Sequence, residues 1–159
     1  MDQGIAALAG ASIGIIGTLI AAHLSGRQQR AQWRRQVRRD AYGAFISRYD
    51  AAVRAGQAAE LAIREDRLDT GIDQNFAEKV REARDALVAV QLEGPEGIAI
   101  RAESAMSDLD TWAWGLDLLI SGDGTLTAEE TLEFTDGREE KCAHALAEII
   151  ALGRKLLTR

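Results

Sequence analysis

Residues 76–119 read FAEKVREARDALVAVQLEGPEGIAIRAESAMSDLDTWAWGLDLL. Phe76, Val80, Ala83, Leu87 and Val90 recur at steps of four and three, and Ile98, Ala102, Ala105, Leu109, Trp112, Leu116 and Leu119 continue the same rule. That alternation returns side chains to one helical face every two turns, which is the seam of packed helices. Between the two runs lies Gly94-Pro95-Glu96-Gly97, where proline begins a helix at the position whose backbone donor has no partner. The stretch therefore predicts two helices folded into an antiparallel hairpin.

The same spacing extends in both directions. Upstream, between Gln28 and about Arg67, a stretch of about ten turns, Trp33, Val37, Ala41, Phe45, Tyr49, Ala52, Gly56, Ala59 and Ile63 form an apolar or small stripe at helical spacing. The run Asp66 to Asp73, with Gly71 inside it, is expected to be the first turn. Downstream, Ser121-Gly122-Asp123-Gly124 leads into Thr127-Ala128-Glu129-Glu130, a capping box in which Thr127 and Glu130 each satisfy a backbone donor. A last helix is expected from Thr127 to about Thr158, with Cys142, Leu146, Ile149, Gly153 and Leu156 on its seam and Arg154, Lys155 and Arg159 at its negative end. Four helices with short loops predict an all-α, up-down-up-down four-helix bundle over residues 40–159.

In front of this body, Gly4 to Leu24 is a stretch of twenty-one residues without formal charge. A helix of that length covers roughly 31 Å, the hydrocarbon thickness of a bilayer. An N-terminal transmembrane helix at 4–24 is expected, with its glycines tolerated because nothing in lipid competes for the backbone hydrogen bonds. The opening Met1-Asp2-Gln3 lacks the positive start of a cleaved signal peptide. Arg27, Arg30, Arg34, Arg35, Arg38 and Arg39 follow, a basic juxtamembrane segment over 25–39 suited to lipid headgroup contact. Positive residues resist translocation, so the N-terminus is expected outside and the C-terminal domain cytoplasmic, at the plasma (inner) membrane. Residues 1–39 carry six positive and one negative side chain, and residues 40–159 thirteen positive and twenty-four negative. The acidic body is thus expected to stand off the anionic surface that holds the collar.

Inside the span, Gly10-x-x-x-Gly14, with Gly17 near that face, lets two backbones approach and suggests span self-association. Trp114 lies two residues from the seam residue Trp112 and so points off the core, as either a bundle-edge residue or a partner contact. Trp33 is expected either in the bundle core or as an interface anchor.

Chemistry is sparse. Asp123 to Glu130 imitates the second half of a calcium-binding EF-hand loop, yet the opening ligand position falls on Leu119, which has no carboxylate. Cys142 and His144 are two residues apart and point about 200° from each other on a helix, so they do not share a metal. Cys142 reads as a small core residue. Glu140 lies four residues before His144, a common surface pairing, and neither histidine follows a glutamate by the three residues that di-iron bundles require. No phosphate loop, nucleophile elbow or zinc-ligand pair occurs. The expectation is no enzyme, no cofactor, no metal and no small-molecule substrate. Nucleic acid is not expected either, because the arginines around Trp33 lie where lipid phosphates compete for them.

The stretch Trp33-Arg34-Arg35-Gln36-Val37-Arg38-Arg39-Asp40-Ala41-Tyr42-Gly43-Ala44-Phe45 resembles the arginine-rich segment that follows a glycine- and alanine-rich N-terminal span in many small actinobacterial proteins of uncharacterised role. The overall plan is also similar to Kil-type proteins of actinobacterial plasmids, which are associated with plasmid transfer. The likeness covers about residues 4–50. It implies a single-pass inner-membrane protein and carries over no functional residue. Together these readings lead to a membrane-tethered helical interaction or scaffold module whose partners are the bilayer and either another protein or itself. The alternative is a membrane-active effector, pore-forming or of the toxin and defence type, assembling through the glycine-rich span.

Overall fold

The computed structural model describes the backbone of residues 2–65, 67, 70–121, 135 and 137–157, and side chains from residue 29 to residue 155 within those ranges, apart from residues 31, 70, 73 and 121. Among the described residues there are four helices and no strand: α1 (Asp2–Arg64), α2 (Thr70–Glu93), α3 (Glu96–Ser121) and α4 (Arg138–Leu157). The chain divides into two units, Met1–Val37 and Arg38–Arg159. α1 contributes to both, and its backbone stays helical through Ser25 and Gly26, where the sequence left a break open. Arg38 and Arg39, grouped by sequence with the basic segment, belong to the second unit.

In the second unit the seams close on one another. Phe45, Tyr49, Ala52 and Ala59 of α1, Phe76, Val80, Ala83, Leu87 and Val90 of α2, Ile98, Ala102, Ala105, Leu109, Trp112 and Leu116 of α3, and Cys142 and Ile149 of α4 are all buried. Cross-helix contacts give the directions. Tyr49 meets Ala105 and Gly56 meets Trp112, an advance of equal length on both helices, so α1 and α3 run parallel. Gln91 bonds Glu103 and Arg84 pairs with Asp110, so α2 and α3 are antiparallel. Arg101 pairs with Glu148 and Arg138 with Asp108, so α4 opposes α3. The unit is a helical bundle of alternating direction, as the hairpin signature anticipates.

Two connections are built locally. At the α2–α3 tip the Gly94 amide donates to the Val90 carbonyl at 2.8 Å, and the Pro95 carbonyl accepts from Ile98 and Ala99 at 2.9 and 3.1 Å. Pro95 thus stands one residue before α3 and opens it. Before α4, Gly137 sits at φ +71°, a conformation in which a side chain would meet its own backbone. Its carbonyl accepts from the Lys141 amide at 3.1 Å, so the helix starts there.

Several boundaries differ from the sequence reading. The described last helix spans Arg138–Leu157, and Gly137 just before it leaves the helical backbone, so a helix expected from Thr127 to about Thr158 is not continuous through that residue. Thr127, Glu130 and the EF-hand-like segment from Gly122 lie outside the described residues, whereas Leu119 and Ser121 belong to the end of α3. The expected turn at 66–73 is shortened, with α2 already helical from Thr70. The side chains of 4–24, including Gly10, Gly14 and Gly17, lie outside the described residues, as does that of Arg27. Among the described residues no helix is long and apolar enough to cross a membrane.

Candidate functional site

The interior of the bundle comes first, because an enzyme or cofactor protein of this class builds its site there. The largest fully buried side chains are Trp112, Tyr49, Phe45, Leu109 and Leu116. Phe76 meets Trp112 edge-on with ring centroids 5.5 Å apart, and Phe45 and Tyr49 tilt together at 5.7 Å. The Tyr49 hydroxyl donates to the Ala105 carbonyl at 3.1 Å, which satisfies the one polar atom that the ring carries into the core. Burial and the neighbouring Cys142 thiol push the Tyr49 phenol far above its ordinary range. Burial likewise raises the Cys142 thiol, against a weaker opposing contact from Tyr49. Both groups are held in their neutral forms, which is the reverse of an activated nucleophile. Among the described residues, no group of three or more His, Cys, Asp or Glu side chains is placed to hold a metal ion. The Trp112 indole nitrogen and the Tyr42 hydroxyl are buried without a hydrogen-bond partner among the described residues.

The surface offers more. An open groove of about 780 Å³ runs between α3 and α4, with Arg101, Ser104 and Asp108 on one wall and Glu140, Lys141, His144 and Glu148 on the other. Its charges neutralise one another across the groove: Arg101 lies 3.5 Å from Glu148, and Arg138 3.8 Å from Asp108. His144 stands 3.6 Å from Glu148, an ion pair only when the imidazole is protonated. The expected Glu140–His144 partnership is therefore replaced by one with Glu148. Helical side chains lean toward the N-terminus, so Glu148 lies over the turn that carries His144. The groove is lined by charges of both signs, with no fully buried acid or base among its described residues.

The remaining surface candidates separate clearly. Arg38 directs its Nε to the Glu93 carbonyl at 2.8 Å, at the end of α2, whose own last turn holds no basic residue. It supplies the cation that this helix terminus lacks. Arg30, Arg34, Arg35 and Arg39 are exposed. Trp33 is 64 % exposed, which removes it from the core. Trp114 is 54 % exposed, off the core as its spacing required. The sequence reading overlooked Leu92, Ile100 and Val88, which are 78 %, 56 % and 51 % exposed. Their signal was available: all three are large apolar residues at positions that the four-three seam skips.

Fold and surface define an all-α bundle with a filled core and apolar side chains displayed on its outside. No protein-family model matches the chain, and neither a curated protein nor a solved structure matches it.

Proposed function

We propose that the chain is a membrane-tethered helical interaction module without catalytic activity. Residues 4–24 span the inner membrane as a transmembrane helix with the N-terminus outside. Arg27, Arg30, Arg34, Arg35 and Arg39 contact cytoplasmic headgroups, and the bundle works in the cytoplasm through its surface. The observation that carries the interaction reading is the pairing of an apolar interior with large apolar side chains at Leu92, Ile100 and Trp114 outside it. Of the six large apolar residues exposed among the described residues, four, Val88, Leu92, Ile100 and Trp114, lie on the α2–α3 hairpin, which makes that hairpin the candidate contact region. The tether is supported by the uncharged stretch Gly4–Leu24 and the arginines that follow it.

The test is to fractionate cells expressing the full chain and extract their membranes with alkaline carbonate, then crosslink the protein in place and identify what is retained. Integral behaviour together with a discrete protein partner, another or a second copy, is the expected result. Release by carbonate would refute the tether. Depolarisation of the cells on overexpression, abolished by Gly10→Leu with Gly14→Leu, would replace the module with the pore-forming alternative.

A further inference from the structure

The Gln91 amide donates to Glu103 across the α2–α3 hairpin at 3.0 Å, and Arg84 pairs with Asp110 further along it. Side chains three or four residues apart share a helix face, so Val88 lies beside Gln91, Leu92 beside Val88, and Ile100 beside Glu103. All three apolar residues are exposed, on the side of the hairpin away from the core. The two cross-helix contacts set Leu92 level with Ala102, within one turn of Ile100. Val88, Leu92 and Ile100 thus form an apolar strip that straddles the seam between α2 and α3 near its tip.

The rim of the strip is acidic. Asp85 stands one turn before Val88, Glu96 one turn before Ile100 and Glu103 one turn after it, and all three are exposed. The base within the same reach is Arg84, which is engaged with Asp110. Arg101 turns about 100° away from Ile100 and pairs with Glu148 of α4. Charge decides what such a strip receives. Lipid phosphates would meet three carboxylates, and so would the same face of a second copy, and both approaches are repulsive. A helix with lysine or arginine beside its apolar stripe meets the same carboxylates favourably, and an amphipathic helix laid on an apolar groove is a recurring mode of recognition. We propose that the outer face of the α2–α3 hairpin docks a basic amphipathic helix of another protein. Its apolar side chains rest on Val88, Leu92 and Ile100, and its cations face Asp85, Glu96 and Glu103. The Gln91 amide holds one oxygen of Glu103, which keeps that carboxylate at the centre of the strip. This rests on the reading of the chain as an interaction module and gives the partner its chemistry.

The test titrates the full-length chain, in a non-ionic detergent, into a fluorescein-labelled synthetic helix of leucine and lysine with its leucines on one face, and reads fluorescence anisotropy. Expected is saturable binding that weakens as salt screens the exposed charges. Leu92→Ser together with Ile100→Ser weakens binding about tenfold, as the loss of central apolar anchors does. Glu96→Gln together with Glu103→Gln weakens it as well and flattens the salt dependence. Leu61→Ser, which removes an exposed leucine of α1, is the control and leaves binding unchanged. All five positions are exposed, so the urea midpoints stay at the parent's value. A helix with glutamate in place of lysine does not bind. Equal binding of the lysine and glutamate helices overturns the proposal, as does equal binding by the parent and the Leu92→Ser, Ile100→Ser variant. So does a dimer of the chain alone that the same two substitutions dissolve, which would make the occupant a second copy. If the leucine–lysine helix fails to bind while crosslinking in the membrane still retains a discrete partner, this face is refuted and the module reading stands. If neither is found, both fall.

Discussion

A methyl group placed on Gly56 would sit 2.7 Å from two ring atoms of Trp112 and 3.0 Å from Phe76, closer than packed carbons come. The indole is fully buried and braced by Phe76, so it has little room to retreat. Gly56→Ala is expected to destabilise the bundle by about 1–3 kcal/mol, the usual cost of overpacking, read as a lower urea midpoint. Gly43, on the same helix, has nothing within 4 Å of an added methyl. There Gly43→Ala should raise the midpoint by about 0.5–1 kcal/mol, because alanine loses less backbone entropy on entering a helix. Opposite signs for one substitution on one helix make a sharp check of how the helices are packed; a stabilising Gly56→Ala would mean that Trp112 does not lie against α1. Tyr49→Phe removes the bond to Ala105 and should cost about 1 kcal/mol.

Helices as units were legible in the sequence and their ends were not. The four-three spacing found the buried faces of α2 and α3 because each helix buries a single stripe, and the residue type at each step reports the burial. The start of α4 escaped because it depends on the backbone angle of Gly137, and nothing in the spacing separates a glycine inside a helix from one that breaks it. Gly137→Ala should therefore cost about 1–2 kcal/mol, the strain of a side chain in the left-handed region, even though open space surrounds it. An unchanged midpoint would show that the break is not fixed by that residue. The role of Arg38 was hidden for a different reason: composition placed it with five other arginines, and only the tertiary fold sets it against the end of α2. Arg38→Ala should lower stability by about 0.5–1 kcal/mol, whereas Arg34→Ala and Arg35→Ala should stay within about 0.5 kcal/mol of the parent. As for the candidate surface, Trp114 was readable from its offset to Trp112, while Leu92 and Ile100 needed the hairpin pairing before they became neighbours.

Among the described residues three weakly acidic core groups, Cys142, Tyr49 and Tyr42, are held neutral by burial. The Cys142 thiol is raised above its ordinary value of 9.0 and the Tyr49 phenol above 10.0, in both cases chiefly by burial. Between the unfolded and folded values the unfolded chain has released a proton that the bundle still binds, so stability is complete below about pH 9 and falls as pH rises beyond it. Urea midpoints at neutral pH and near pH 10 should show this decline, and Cys142→Ala should make it shallower. A decline of equal slope in Cys142→Ala would assign it to other groups. Gly56 has a further bearing on the assembled bundle. It is the notch in α1 that admits the Trp112 ring, with Ala52 one turn before it and Glu60 one turn after. Slipping α1 along the bundle by one turn would press either a methyl group or a carboxylate onto the indole. Heptad-like stripes built from alanine discriminate poorly between such slipped arrangements, since neighbouring turns look alike. A missing side chain against the largest ring in the core therefore works as a key and its lock, selecting one vertical alignment of the helices from several that would bury nearly the same surface.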